Sequence, residues 1–424
     1  MAVFVVLIII SNVLLSAVYY VKKVMLNSNF YQLTYYLFNG KAGSGSFKVV
    51  IDTIITCIPF ALISIIVTVL PIILVKHFKC FSFKKFIKIY AISLFCFCVI
   101  LTLHSYQFDD YVINKSKNSD IYKYYKDTNK VNVSFKGKKR NLILIYLESV
   151  ESSLMSTENG GLFNKSRILE LETLALENDN FSNTDKLGGG KNLTVSSFTM
   201  ASLVASSSGT PLDIKFFGGY NERNKIMPEV KTLGDILKEN GYNLKVIQGT
   251  DINFSATDQY YKIHGDYEIV DYNEMIKKGY VPKGYLKWWG IEDKKMFEIS
   301  KKEILETFKK GEPFAVTMYT MDTHFKDGYL DSECNSEFED QLSNVYACSS
   351  KQILEFVNWV KEQDFYKDTT TILLGDHYTM QNSYFNGYDS DKRSIYNVFI
   401  NSGKKISNNK NRVFTNYDMY PTIL

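Results

Sequence analysis

Hydrophobic and polar positions divide this chain into two regimes. In the first quarter, residues 2–21, 53–75 and 89–108 form three apolar runs without an acidic or basic side chain other than His104. Each run is long enough to cross the hydrocarbon core as a helix. A cleaved leader is the alternative for the first, but its apolar run is longer than such leaders carry, no basic residue precedes it, and two more runs follow. Residues 109–139 are polar and rich in Lys, Asn and Tyr, which predicts a partly helical juxtamembrane linker. Regular alternation then begins. Residues 141–147 (NLILIYL) predict a buried central strand, and residues 166–176, 197–206 and 229–240 predict helices, the last ending at Gly241. Strands are predicted at 243–248 and 314–320 with a helix over 294–309 between them. An amphipathic helix at 352–361, a strand centred on 371–374 and a last strand at 394–400 complete the pattern. This order predicts an α/β protein: N-terminal transmembrane helices (1–108), a linker (109–139), and a mostly parallel sheet covered by helices on both faces (140–424).

Charge orients the spans. Lys76, Lys79, Lys84, Lys85 and Lys88 crowd the short loop between the second and third runs, whereas Lys22, Lys23, Lys41 and Lys48 are spread over a segment twice as long. The denser cluster stays cytoplasmic by the positive-inside rule, which places the N-terminus inside and the region after about residue 108 outside. Cys57, Cys80, Cys96 and Cys98 belong to the apolar quarter, leaving Cys334 and Cys348 for the polar region. A lone pair in a domain facing an oxidising compartment reads as one disulfide, with two unrelated buried thiols as the alternative. The net charge of +4 is too small to argue for nucleic acid, and no basic patch interleaved with aromatics appears.

Chemistry gathers at the predicted strand ends. Gly375 closes a strand and Asp376-His377 follow it; Glu148 follows the first strand; Asp322-Thr323-His324 follow the strand at 314. Carboxyl ends of strands open onto the crevice where α/β proteins bind ligands. Taken singly, an acidic residue there is more often a helix cap than a ligand. Between them, Gly188-Gly189-Gly190 leads into Thr194, Ser196, Ser197 and Thr199 before a helix of small residues. A hydroxyl at a helix N-terminus meets unpaired N–H groups that stabilise an alkoxide or a phosphate, although it equally fits a simple N-cap. A carboxylate beside an imidazole suits Zn²⁺ or Mn²⁺. Acid, hydroxyl and imidazole at one sheet edge is the pattern of a metal-activated nucleophile.

Tyr146-Leu147-Glu148-Ser149, the stretch from Ser196 to Ser206 with Gly209 and Pro211-Leu212, Trp289-Gly290 with Asp293, Asp322-Thr323-His324 with Asp327-Gly328, and Asp376-His377 together resemble the membrane phosphoglycerol transferases of periplasmic glucans. Those enzymes belong to the sulfatase/alkaline-phosphatase superfamily, with lipoteichoic-acid synthases and phosphoethanolamine transferases as more distant relatives. The resemblance runs from about residue 27 to 424 and includes the cysteine pair after the Asp-Gly motif. It implies Glu148, Asp376 and His377 as ligands of a divalent metal, Mn²⁺ foremost with Zn²⁺ or Mg²⁺ as alternatives, and His324 as the group that binds the transferred phosphoryl oxygens. The nucleophile completes the metal shell; ungapped register places Ser196 there, and Thr194 is the alternative because the relatives usually use threonine. Trp289, Asp293 and Asn253 fall on substrate-contacting positions, Asn253 where an arginine sometimes stands. The relatives usually carry one more N-terminal span and a longer C-terminal tail. The Cys/Ser-x-Pro-x-Arg signature of sulfate-ester hydrolases is absent. The implied activity is transfer of phosphoglycerol from phosphatidylglycerol in the bilayer to a periplasmic or cell-surface glycan, by a multi-pass protein of the bacterial inner membrane with its catalytic domain outside. Phosphoethanolamine transfer and a catalytically inactive glycan- or lipid-binding relative are the rival expectations.

Overall fold

The computed structural model describes the chain apart from residues 1, 24–28, 40–45, 80–81, 118–119, 125, 132, 214–225 and 405. Lys41 and Cys80 of the sequence argument lie outside the described residues. The chain divides into two compact units: Met1–Leu33 with Ser46–Lys123 and Met380–Ser383, and Thr34–Gly45 with Tyr124–Thr379 and Tyr384–Leu424.

In the first unit, α1 (Ala2–Lys23), α3 (Ser46–Phe78) and α4 (Phe83–Ser105) contain the apolar runs, and among the described residues three helices are long and apolar enough to cross a membrane. The short α2 (Phe30–Asn39) lies between the first two in sequence, with its residues from Thr34 onward belonging to the second unit, and α5 (Phe108–Ser116) follows the third. Lipid gives apolar helix faces little reason to prefer each other, so polar contacts matter. Asn12 Nδ2 donates to Thr68 Oγ1 at 3.0 Å, Ser64 Oγ donates to Asn12 Oδ1 at 2.8 Å, and Tyr90 OH donates to the Thr68 carbonyl at 2.9 Å. These bonds tie α1, α3 and α4 together.

The second unit is built on a six-stranded sheet: β1 (Asn141–Leu147), β2 (Asn243–Gln248), β3 (Glu268–Val270), β4 (Phe314–Tyr319), β5 (Thr369–Gly375) and β6 (Asn397–Ile400), in the order β3-β2-β4-β1-β5-β6. All neighbours are parallel except β6, which runs antiparallel to β5. Successive side chains of β1 serve opposite faces, the period-2 consequence of a pleated strand. Ile143, Ile145 and Leu147 enter one core with Phe314, Ile353 and Phe356, while Leu142, Leu144 and Tyr146 enter another with Leu203, Val246 and Ile372. Helices α6 (Leu169–Glu177), α7 (Thr199–Ser208), α8 (Leu233–Glu239), α9 (Thr257–Ile263), α10 (Tyr272–Lys277), α11 (Asp293–Phe308), α12 (Gln341–Lys361) and α13 (Met419–Ile423) complete the unit. The predicted mostly parallel α/β architecture is the one observed.

Boundaries differ where packing overrides local pattern. β3 has three residues at the sheet edge and too little apolar sequence to announce itself. α12 begins at Gln341 rather than at 352, because Leu342, Val345 and Tyr346 are buried although polar residues separate them. α7 begins at Thr199, after a 3₁₀ turn over Thr194–Ser196, two positions later than its small-residue pattern predicts.

Cys334 and Cys348 are disulfide-bonded, with Cα atoms 5.7 Å apart and a sequence separation of 14. The bond ties the loop after β4 to the second turn of α12. Closing a loop of this length contributes about 3 kcal/mol by chain entropy. Replacing both cysteines by serine is expected to lower the stability of the second unit by about that amount, read from denaturant midpoints at unchanged slope. Thiol titration of the unfolded, unreduced chain should find neither Cys334 nor Cys348 reactive.

Candidate metal centre and catalytic cleft

The register of β1 against β5 creates the centre. Leu147 pairs with Gly375, so the next residue on each strand, Glu148 and Asp376, emerge side by side at the carboxyl edge. Asp376 N–H still donates to the Leu147 carbonyl at 3.2 Å. Ser149 then adopts the left-handed region, φ 56°, which turns its N–H onto Asp376 Oδ1 at 2.9 Å and its hydroxyl onto Glu148 Oε1 at 2.7 Å. The segment after neighbouring strand β4 adds Thr323, whose hydroxyl donates to the Glu148 carbonyl at 2.5 Å, and Thr320, whose hydroxyl accepts from Glu148 N–H at 3.0 Å. Each carboxylate is therefore aimed by backbone and hydroxyl partners rather than left to its rotamers.

His377 is aimed in the same way. Its Nδ1–H donates to the Tyr378 carbonyl at 2.8 Å, which leaves Nε2 as the ligating nitrogen. That atom lies 3.3 Å from Asp376 Oδ2 and 3.7 Å from Glu148 Oε1. One donor atom from each of Glu148, Asp376 and His377 falls within 4.8 Å of the others, and all three residues are buried. Asp376 Oδ2 has no hydrogen-bond partner. A buried carboxylate oxygen without a partner is costly unless a cation completes it. Burial, and then the charge of Glu148, pushes the Asp376 carboxyl up to about 7. Burial also pushes Glu148 up, but the His377 and His324 imidazoles outweigh it and hold that carboxyl below its ordinary range. The donor set of two carboxylates and one imidazole fits a divalent transition metal.

Besides Ser149, Thr199 brings a hydroxyl to this cluster, next to both Glu148 and His377. Its Oγ1 lies 3.4 Å from Glu148 Oε2 and 3.4 Å from His377 Nε2. Thr199 is the first residue of α7, and Phe198 before it is extended with no side-chain cap, so the helix end presents N–H groups at this place. Ser196, favoured by register, is buried in the preceding 3₁₀ turn with its hydroxyl on the Leu193 carbonyl at 3.3 Å, and Thr194 is exposed at the start of that turn. Of Thr194, Ser196 and Thr199, it is Thr199 whose hydroxyl lies against Glu148 and His377. Helix α7 is fastened to the cluster by Ser202, whose hydroxyl donates to the Asp376 carbonyl at 2.6 Å, and by Asn416, which donates to both Ser202 Oγ and the Asp376 carbonyl. Asn416 carries no local sequence signal; its role comes from chain folding alone.

A cleft of about 700 Å³, open mouth included, adjoins Thr199; its walls include Gln248, Thr250, Asp251, Phe254, Trp289 and His324. His324 Nδ1–H donates to the Phe325 carbonyl at 2.7 Å, and its ring lies 4.5 Å from Trp289, whose indole N–H donates to the same carbonyl at 3.3 Å. Nε2 of His324 is thus the nitrogen available to a ligand. Asn253 has its amide on Asp251 Oδ1 at 2.9 Å, and the wall of this segment is made by Asp251, Phe254 and Ser255. Asp293, expected among the substrate contacts, is the first residue of α11. It is 1% exposed, and its carboxylate accepts from the N–H groups of Met321 (2.6 Å) and Asp322 (3.1 Å), while its own N–H donates to Asp322 Oδ2 at 3.1 Å. This reciprocal staple holds the His324 loop to the start of α11. Burial pushes Asp293 up to about 7, and burial with the charge of Asp293 pushes Asp322 well above the usual carboxylate range. Finally, Tyr36 from α2 lines the cleft, and burial followed by the charges of Glu148 and Asp376 keeps its phenol protonated.

The sulfatase family profile matches residues 140–424. The chain is 30% identical over 277 residues to phosphoglycerol transferase I of Escherichia coli O6:K15:H31 (strain 536 / UPEC), a match covering 64% of this chain and 34% of that protein. The protein of the same name from Shigella boydii serotype 18 (strain CDC 3083-94 / BS512) gives the same identity and coverage. The chain thus spans about a third of the length of these curated relatives. In fold it is similar to the integral membrane lipooligosaccharide phosphoethanolamine transferase A (EptA) of Neisseria meningitidis, with a TM-score of 0.54, 14% identity, and coverage of 99% of this chain and 82% of that one. It is also similar to the lipoteichoic acid synthase LtaP of Listeria monocytogenes, with a TM-score of 0.50, 16% identity, and coverage of 67% and 71%. With a profile match over residues 140–424, about two thirds of its length, the chain belongs to the sulfatase family.

Proposed function

We propose that the chain is a membrane-anchored phosphoglycerol transferase that takes phosphoglycerol from phosphatidylglycerol and passes it to a cell-envelope glycan. The observation that carries this reading is the placement of a threonine hydroxyl, Thr199, against Glu148 and His377 at the N-terminus of α7. The 30% identity to proteins named phosphoglycerol transferase I supports the head group. Thr199 Oγ attacks the donor phosphorus, the bond from phosphorus to the diacylglycerol oxygen breaks, and the threonine proton ends on the departing diacylglycerol. A glycan hydroxyl then attacks the phosphoglyceryl-threonine, and its proton returns to Thr199. His324, whose Nε2 is the ring nitrogen left for a ligand, holds the non-bridging phosphoryl oxygens in both halves. Glu148, Asp376, His377 and Thr199 would hold the divalent metal, Mn²⁺ in our reading, which when bound supplies positive charge for the alkoxide and the phosphoryl oxygens.

The spans anchor the chain in a bilayer of the kind that carries the lipid donor, and the lysine asymmetry supports an orientation in the bacterial inner membrane with the catalytic region outside. A reporter that is active only in the cytoplasm, fused after Leu424, is expected to be silent; activity there would reverse the orientation. Incubation of the detergent-solubilised chain with phosphatidylglycerol and an oligosaccharide acceptor should yield glycerol-bearing product. An amine-bearing product from phosphatidylethanolamine instead would favour the phosphoethanolamine reading, and no transfer from either donor would favour a binding relative.

A further inference from the structure

Tyr36 is the cleft-lining residue that the polar region's own sequence does not supply. It belongs to α2, between the first two apolar runs, and so comes from the part of the sequence that carries the spans. Its placement is built rather than incidental. Tyr35, next to it, is 1% exposed and its hydroxyl donates to the Ser255 carbonyl at 2.5 Å. The Tyr35 ring lies 5.6 Å from Phe198, and the Tyr36 ring lies 5.7 Å from Phe198 and 5.6 Å from Phe254. Phe198 immediately precedes Thr199, and Phe254 belongs to the turn that carries Asp251. Tyr35 therefore acts as the anchor, and Tyr36, half-buried, is left facing the cleft with Thr199, Trp289 and His324.

We infer that Tyr36 is a substrate-contacting residue that sets donor affinity, so that the catalytic cleft is complete only with residues from between the first two spans. This rests on the transferase reading. Tyr36, Phe254 and Trp289 give the cleft aromatic walls, and Gln248, Thr250 and Asp251 give it hydrogen-bonding groups. Such a lining suits a small polyol head group, whose C–H faces lie against rings while its hydroxyls reach polar side chains. Tyr36 adds a ring edge and one O–H donor to that lining, on the side next to the nucleophile.

The test uses the full chain in detergent with dioctanoyl phosphatidylglycerol and follows the rate of covalent adduct formation against donor concentration. Tyr36→Ala is expected to raise the half-saturating donor concentration about tenfold, with the limiting rate changed by less than about threefold. Tyr36→Phe keeps the ring and loses only the hydroxyl, and is expected to raise the half-saturating donor concentration by less than Tyr36→Ala does. If Tyr36→Ala fails to fold by thermal melting, Tyr36→Leu fills the site without a ring and should give the same shift. A donor dependence unchanged in Tyr36→Ala or Tyr36→Leu, or a defect confined to the acceptor half of the reaction, overturns the inference and leaves the transferase reading standing. A wild-type chain that forms no adduct with this donor overturns both.

Discussion

Thr199→Ala is expected to abolish transfer, lowering turnover by about three orders of magnitude or more, and to leave the protein folded. The stability side follows from geometry, since Thr199 makes only long contacts of 3.4 Å with Glu148 and His377. Deleting it removes no short hydrogen bond and leaves α7 held by Ser202 and Asn416. The activity side follows from position. Thr199 is the hydroxyl at the helix end beside the acid–imidazole cluster, where helix N–H groups stabilise an attacking oxygen. Ser196→Ala and Thr194→Ala are the controls, and each should retain activity within about threefold, because neither hydroxyl would form the covalent bond. Loss of the adduct in Ser196→Ala with retention in Thr199→Ala would restore the register-based assignment. Steady-state rates beside melting curves for the three variants give the answer.

The second large effect concerns the divalent metal. Stripping it from the full chain is expected to abolish transfer and lower the melting temperature, and re-adding Mn²⁺ should restore both. At free metal a thousand times its dissociation constant, binding stabilises by about 4 kcal/mol. The pH dependence gives a readout independent of activity. In the stripped protein Asp376 has its carboxyl raised from the ordinary 3.8 to about 7 by burial and by Glu148. A folded-state pKa above the unfolded one means that the folded form binds more protons between those values. The stripped protein should therefore lose stability as pH rises from about 4 to about 7. Metal keeps Asp376 ionised throughout, so the loaded protein should lack that component of the slope. Burial raises Asp293 and Asp322 as well, so the slope attributed to Asp376 is the difference between stripped and loaded protein at the same pH. Glu148→Gln and Asp376→Asn should each bind less metal by elemental analysis and show a smaller melting shift on Mn²⁺ addition. A stripped chain with full activity and an unchanged melt would refute a metal centre.

How far the sequence reads depends on whether a feature is local. β1 and β5 are seven-residue strands with continuous apolar interiors, so their ends, and with them Glu148, Asp376 and His377, are legible from pattern alone. The start of α7 is not. Helix caps are sought among Ser, Thr, Asp and Asn, and here the cap is Phe198, extended at φ −148° and buried against Tyr35 and Tyr36. A hydroxyl-rich 3₁₀ turn just before it, Thr194–Ser196, offers the caps the sequence suggests, whereas Thr199 is the hydroxyl that lies against Glu148 and His377. Asp293 illustrates a different limit: an acidic residue at the first turn of α11 is visible, but its engagement with the backbone of Met321 and Asp322 is a contact across the fold. Tyr36 and Asn416 reach the cleft and the cluster from distant parts of the chain, and no periodicity marks either one.

The most direct measurement is the intact mass of the full chain after incubation with phosphatidylglycerol in the absence of acceptor, followed by peptide mapping. The account predicts a phosphoglycerol adduct on the peptide containing Thr199, absent in Thr199→Ala and discharged when glycan acceptor is added. An adduct on Ser196 or Thr194, or turnover of the donor with no covalent species at any time, would contradict it.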